Sequence, residues 1–225
     1  MRVINSYHNI PKADRGSAVA IGNFDGVHLG HQSVIDVART AASQAKAPLG
    51  VLTFEPHPRA YFAPQTPAFR LMSPVARQNR LTKLGVEYLY ELPFNDSLAA
   101  LTPEQFAREV ISEGLGLTHV VIGQDFCFGK ARAGTAEDLL HFGEKMGFGV
   151  SIAPLLATKG AQVSSTAIRT ALSEGRPQDA AAMLGHWHRL EGAVQHGEKR
   201  GRELGFPTAN MHLTDLHLPK FGVYA

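Results

Sequence analysis

Two histidines three residues apart, His28 and His31, sit in a glycine-rich stretch, Gly22 to Gln32, that reads GNFDGVHLGHQ. Glycine lets a backbone approach a ligand closely. A helix starting behind such a loop aims free N–H groups and a positive dipole end at that ligand. Imidazoles at the helix entry are placed to face one phosphate-bearing molecule. The spacing differs from the dinucleotide fingerprint, and the lysine of a P-loop is missing. The stretch therefore fits a loop that holds a triphosphate with imidazoles, and the loop is expected to be exposed. Asp25 is placed to orient a ribose or a metal-bound water. Plain turns at Gly22-Asn23 and Asp25-Gly26, with structural histidines between them, are the alternative. Zinc is a poorer fit, because no third ligand stands at metal-site spacing.

The elements around the stretch alternate. Ala18 to Phe24 reads as a buried strand, and Gln32 to Lys46 as a helix with Val34, Val37, Ala38, Ala41 and Ala45 at helical spacing. Pro48 to Phe54, Val86 to Leu92, His119 to Gly123 and Phe148 to Pro154 read as four further strands. Helices open between them at Ser73-Pro74, at the capping box Thr102 to Gln105 and at Thr135 to Asp138. Strand-helix alternation implies parallel crossovers and an α/β, doubly wound parallel sheet. In such a sheet the loop after the first strand lies at the carboxyl edge, where ligands bind.

Two further stretches fall at ligand-binding positions. Ser164, Ser165 and Thr166 begin a helix, where hydroxyls and N–H groups can take a phosphate, and Arg169 follows on the same face to neutralise it. Ser165 is alternatively no more than the helix cap. Past the fourth strand, Asp125 can accept hydrogen bonds from a ribose or a ring, while Phe126 and Phe128 stack on a ligand or pack in the core. His57, between two prolines, is rigidly presented or marks a bend.

Composition narrows the class. The chain has 225 residues, is 44% hydrophobic and carries a formal net charge of +2, which gives no reason to expect nucleic acid as a partner. The single cysteine, Cys127, excludes an internal disulfide framework and fits a reducing cytoplasm. No apolar run approaches a membrane span. The pattern changes near Gly185, and the stretch after it is glycine-rich with short apolar pairs, like the opening of a β-barrel. The expected division is 1–184 and 185–225.

GNFDGVHLGHQ resembles the signature of nucleotidyltransferases with the HxGH motif. With LTFEPHP (Leu52 to Pro58), VIGQDFCFGKARAG (Val121 to Gly134), SSTAIR (Ser164 to Arg169) and GRELGFPTAN (Gly201 to Asn210), the whole chain resembles the prokaryotic bifunctional riboflavin kinase/FMN adenylyltransferase (FAD synthetase) family. The resemblance implies AMP transfer from ATP to FMN with release of pyrophosphate, and FMN synthesis from riboflavin, with Mg²⁺ at both sites. It assigns phosphate handling to His28, His31 and Arg169, and the nucleotide pocket to Gly22, Asn23, Phe24, Asp25, Gly30, Ser164, Ser165 and Thr166. His57, Asp125, Phe126 and Phe128 become flavin or ribose candidates. In the second part, Gly201 and Gly205 would cover the kinase's ATP phosphates, and Thr208 and Asn210 would hold Mg²⁺. Cys127 and Ala167 stand where the family resemblance leads one to expect arginine, removing positive charge near the phosphates. The glutamate base of the kinase has no place in these 225 residues, so that domain is expected to be incomplete. An incomplete barrel exposes strand edges that invite self-association.

Overall fold

The computed structural model describes residues 1–158, 161–195, 205–206, 209–213 and 215–224. Six strands form its main sheet: β1 (Arg2–Ile4), β2 (Ala18–Ile21), β3 (Leu49–Glu55), β4 (Tyr88–Pro93), β5 (His119–Gly123) and β6 (Gly149–Ala153). They run parallel throughout, in the order β1-β4-β3-β2-β5-β6. β2 has β3 on one side and β5 on the other, so the chain reverses its winding there. A crevice opens at such a switch point, outside the carboxyl ends of the two strands.

Alternation along the strands sets the layers. Ala18 and Ala20 of β2 face α1 (Leu29–Ala45), meeting Ile35, Ala38 and Ala42, together with Leu81 of α3 (Pro74–Lys83). Val19 and Ile21 face the opposite layer. That layer holds Phe106, Val110 and Ile111, from the helical run that α5 (Pro103–Gln105) starts and Phe106–Gly114 continues as a π-helix. It also holds Leu139 of α6 (Ala136–Met146). Both expected capping boxes form, at Thr102 with Gln105 and at Thr135 with Asp138. Two short helices, α2 (Pro58–Phe62) and α4 (Asp96–Ala99), follow β3 and β4. α7 (Ser165–Ser173) and α8 (Pro177–Leu184) pack through Ile168, Leu172, Ala180 and Leu184 around Leu71.

Several bounds differ from the sequence reading: α1 begins at Leu29 rather than Gln32, at the His28 cap, and β3 and β6 shift by a residue at each end. β2 ends at Ile21 rather than Phe24, because Phe24 turns into the left-handed region at φ 51. β4 begins at Tyr88 rather than Val86. β1 went unseen, since three residues paired only to β4 leave too short a pattern. The antiparallel pair β7 (Ala157–Thr158) and β8 (Ala161–Gln162) precedes α7. Beyond residue 185 the described residues hold one two-residue antiparallel ladder, β9 (Val194–Gln195) with β10 (Asn210–Met211), so the expected barrel is not described there. Part of that stretch folds back: Leu216 is buried, and Lys220 N–H donates to Leu172 O over 2.8 Å. Among the described residues no helix is long and apolar enough to cross a membrane.

Candidate active site

A cleft of about 910 Å³ opens at the carboxyl edge beside β2 and β5. Gly22, Asn23, Phe24, Asp25, His28, Gly30, His31, His57, Asp125, Phe126, Phe128, Ser164, Ser165, Thr166 and Arg169 all line it. They come from loops far apart in sequence, and the parallel sheet brings them to one edge. Gly205 and Asn210 do not line it, and Gly201 and Thr208 lie outside the described residues.

The loop after β2 is tightly built. Gly26 adopts φ +88, and a Cβ there would meet Leu71 Cδ1 at 2.9 Å and Leu184 Cδ2 at 3.1 Å. A Cβ on Gly30 would stand 3.1 Å from the His28 ring. His28 itself caps α1: its Nδ1 accepts from His31 N–H over 3.2 Å. The Nε2 of a neutral His28 ring then carries the hydrogen and is a donor. The His28 and His31 rings stack with centroids 3.6 Å apart. The expectation of an exposed loop is corrected here: Asp25 is 5% exposed, His28 6% and Val27 fully buried. The loop must bury its own side chains to hold the two rings against the sheet edge.

Burial lowers the pKa of His28 to about 4, with help from the charge of Arg169. Burial, then His28, lowers that of His31 well below the usual imidazole range. Both rings are therefore neutral at pH 7. A neutral imidazole offers an oriented hydrogen-bond group rather than a positive charge.

Asp25 lines the cleft with its carboxylate already engaged. Its Oδ1 accepts from Leu71 N–H at 2.7 Å, and its Oδ2 pairs with Arg169 at 2.9 Å. Burial pushes the carboxyl up, against the opposing pull of Leu71 N–H and Arg169. Asp25 thus fastens α7 to the loop, where the sequence placed a ribose or water contact. Ser164, not Ser165, caps α7, accepting from Ala167 N–H over 3.1 Å. Ser165 Oγ donates instead to Asp25 O at 2.8 Å. Arg169 also reaches Thr166 Oγ1 at 3.3 Å. Cys127 lines the cleft, whereas the short side chain of Ala167 does not reach it.

Two arginines behind the cleft are neutralised by carboxylates, and one that lines it is not. Arg70 and Arg77 pair with Glu55, and Arg77 also with Glu91. Arg59, not singled out by sequence, lines the cleft with its guanidinium 4.7 Å from the Phe69 ring centroid. Arg169 approaches the same ring at 5.8 Å. Arg59 has no carboxylate partner among the described residues, which leaves surplus positive charge facing the cleft. Its cue in the sequence was only its place two residues after His57. The lower wall is apolar: Phe126 and Phe128 stack at 5.7 Å, and Phe128 packs on Phe106. The two rings both pack in the core layer and line the cleft.

His57 caps α2, its Nδ1 accepting from Arg59 N–H over 3.0 Å. Burial, then the charges of Arg70, Arg169, Arg77 and Arg59, lowers its pKa to about 4 from an ordinary 6.5. The fold holds the neutral ring, so this stabilisation is complete above pH 6.5. It is lost as pH falls from 6.5 toward 4, where the unfolded chain takes a proton that the folded chain refuses. His57→Asn keeps a cap acceptor and removes the titration. Its melting temperature should fall less than that of the wild type between pH 6.5 and 5; identical slopes would remove His57 from this pH dependence.

Comparison with known proteins sharpens the assignment. Residues 10–167 match the family model for FAD synthetase, and residues 184–225 match that for riboflavin kinase. Curated proteins named bifunctional riboflavin kinase/FMN adenylyltransferase align along the whole chain. The protein from Pseudomonas fluorescens is 39% identical over 225 residues, covering 100% of this chain and 72% of its own. The chain belongs to the bifunctional riboflavin kinase/FMN adenylyltransferase family. As a family member it is an enzyme of flavin nucleotide synthesis, with FMN adenylyltransferase and riboflavin kinase sequence in one chain. The namesake from Bacillus subtilis (strain 168) is 37% identical over 227 residues, covering 100% of this chain and 71% of its own. A solved structure described as a macrolide-efflux protein from Streptococcus pneumoniae superposes with a TM-score of 0.84 at 34% identity. That match covers 99% of this chain and 72% of the other. The efflux in that name is said of that protein alone.

Proposed function

We propose that the cleft carries adenylyl transfer from ATP to FMN, and that His28, His31 and Arg169 handle the phosphates. The carrying observation is the meeting of both histidine rings, the α7 start and Arg169 in one cleft at the switch point. A phosphate oxygen of FMN attacks the α-phosphorus of ATP. The bond from that phosphorus to the oxygen bridging the β-phosphorus breaks, pyrophosphate leaves with its electron pair, and FAD remains. No covalent enzyme intermediate is needed, so the site's task is to position the reactants and to stabilise charge. His28 Nε2–H donates to phosphate oxygens, the α7 start receives the pyrophosphate, and Arg169 neutralises it. The surplus charge of Arg59 draws the polyanions to the rim. Phe126 and Phe128 offer an apolar wall to the flavin ring, with His57 and Asp125 beside the ring or a ribose.

Mg²⁺ takes oxygen ligands, commonly one or two carboxylates together with substrate phosphates. Asp25 is already committed to Leu71 N–H and Arg169, one partner on each oxygen. Asp125 is exposed, lines the cleft, and its carboxylate meets no donor among the described residues. This donor set fits an ion held by the ATP phosphates and Asp125, where it would add positive charge to the phosphates. We further assign 185–225, which follow α8 from its cap Gly185, to riboflavin kinase sequence, with Gly201, Gly205, Thr208 and Asn210 as ATP and Mg²⁺ residues. The enzyme is read as cytoplasmic.

The test is turnover of ATP and FMN, following FAD and pyrophosphate together. Arg169→Ala should lower kcat/KM by roughly 10- to 100-fold, the worth of one charged hydrogen bond. Wild-type kcat/KM in Arg169→Ala would remove that residue from the phosphate site.

A further inference from the structure

The segment around His217 lies within the riboflavin kinase match, yet it touches the back of the adenylyl cleft. We infer that His217 is a positioning residue for adenylyl transfer, holding the Arg169 turn of α7 in place. The inference rests on the phosphate role proposed above for Arg169.

A closed circuit of contacts carries it. His217 N–H donates to Arg70 O at 2.7 Å, and Leu216 bridges to Arg70 beside it. The next residue, Leu71, donates its N–H to Asp25 Oδ1, and Asp25 Oδ2 holds the Arg169 guanidinium. From Arg169 the circuit returns to the start: His217 Nε2 stands 3.1 Å from Arg169 O and 3.0 Å from Ser173 Oγ. A carbonyl only accepts, so this contact forms in the tautomer with hydrogen on Nε2, where Ser173 Oγ shares that hydrogen as a second acceptor. Lys220 N–H, donating to Leu172 O, ties the same segment to α7 a second time.

His217 therefore touches both arms that fix the guanidinium. One arm is the backbone of α7 that bears Arg169. The other is the Arg70-Leu71 stretch that orients Asp25 against it. Loss of the ring leaves Arg169 paired to Asp25 but lets the pair drift, and misplacement by about an ångström costs up to 10²-fold in rate.

The experiment is FMN adenylylation by the full chain with ATP and FMN, in a double-mutant cycle of His217→Ala and Arg169→Ala, with His217→Gln and His217→Asn beside it. His217→Ala should lower kcat/KM for ATP by on the order of 10-fold. Gln can place an amide N–H where Nε2 stands, so His217→Gln should recover most of the loss; Asn is too short and should not. In the Arg169→Ala background, His217→Ala should add less than about 2-fold, since residues acting through one another are not additive. Full additivity, or wild-type kinetics in His217→Ala, overturns the inference. If His217→Ala fails to fold, equal activity of the Gln and Asn variants overturns it. Wild-type kinetics in Arg169→Ala would instead overturn the phosphate role of Arg169, a separate result.

Discussion

Replacing His28 should lower FAD formation by about 10²- to 10³-fold, the usual loss when a preorganised donor to developing charge is removed. The substitution must be chosen with the loop's burial in mind. His28→Ala also removes the acceptor that caps α1, at a cost of about 1 kcal/mol. His28→Asn avoids this, because its side-chain oxygen can take the place of Nδ1 and accept from His31 N–H. It keeps the cap and removes the Nε2–H donor. A His28→Asn protein should melt near the wild type and turn over on the order of 10²-fold more slowly. His31→Ala should show a similar loss, since its ring stacks on His28 and lines the cleft. The pH profile separates donor from cation. Burial holds His28 neutral down to about 4 in the free protein, so kcat/KM should show no histidine-linked fall as pH rises through 6.5. A rate that dropped across that range would mean an imidazolium does the work. Near-normal turnover in both His28→Asn and His31→Ala would leave the loop a structural turn.

How far the sequence shows this site depends on whether the signal is local. β5 is legible residue for residue at His119–Gly123, because three apolar residues follow a turn and precede a glycine. The capping boxes at Thr102 and Thr135 and the Ser73 cap are local chemistry and form as read. The histidine pair is legible for the same reason: glycines, helix entry and imidazoles lie within eleven residues. Phe24 in the left-handed region is not legible, since phenylalanine carries no preference for it; the packing of the loop imposes it. The partners of Asp25 are hidden in a different way. A carboxylate in a glycine loop looks like a ligand contact, and only the fold shows Leu71 and Arg169 taking its two oxygens. Those partners stand 46 and 144 residues away, beyond any spacing rule. Arg59 and the return of Leu216 to Lys220 onto α7 escape for the same reason. Each depends on what the fold places next to it, and no periodicity records that.

Asp25→Ala should be the most destabilising substitution in the cleft. It removes one partner of a pair whose side chains are only 6% exposed for Asp25 and 16% for Arg169. A guanidinium left uncompensated in that setting costs about 3–5 kcal/mol, more than the pair itself is worth, because the Coulomb attraction repays desolvation only while both partners are present. Leu71 N–H loses its acceptor in the same step, which adds to the cost without summing simply. For a chain of this length each kcal/mol moves the melting temperature by about 2–4 °C, so a drop on the order of 10 °C is expected. Asp25→Asn should fall between. It still offers an oxygen to Leu71 N–H, but an amide N–H facing Arg169 sets donor against donor. The double variant Asp25→Ala, Arg169→Ala tells charge from packing. Removing the stranded guanidinium should restore part of the stability lost in Asp25→Ala, so the double variant should melt above the Asp25 single variant. If the double variant melts lower still, the two residues act as independent packing groups and no buried charge is being compensated. If Asp25→Ala melts within about 2 °C of wild type, less than one kcal/mol by the same conversion, the pair does not hold α7 to the loop. In that case the positioning of Arg169 has to come from α7 and the His217 segment alone.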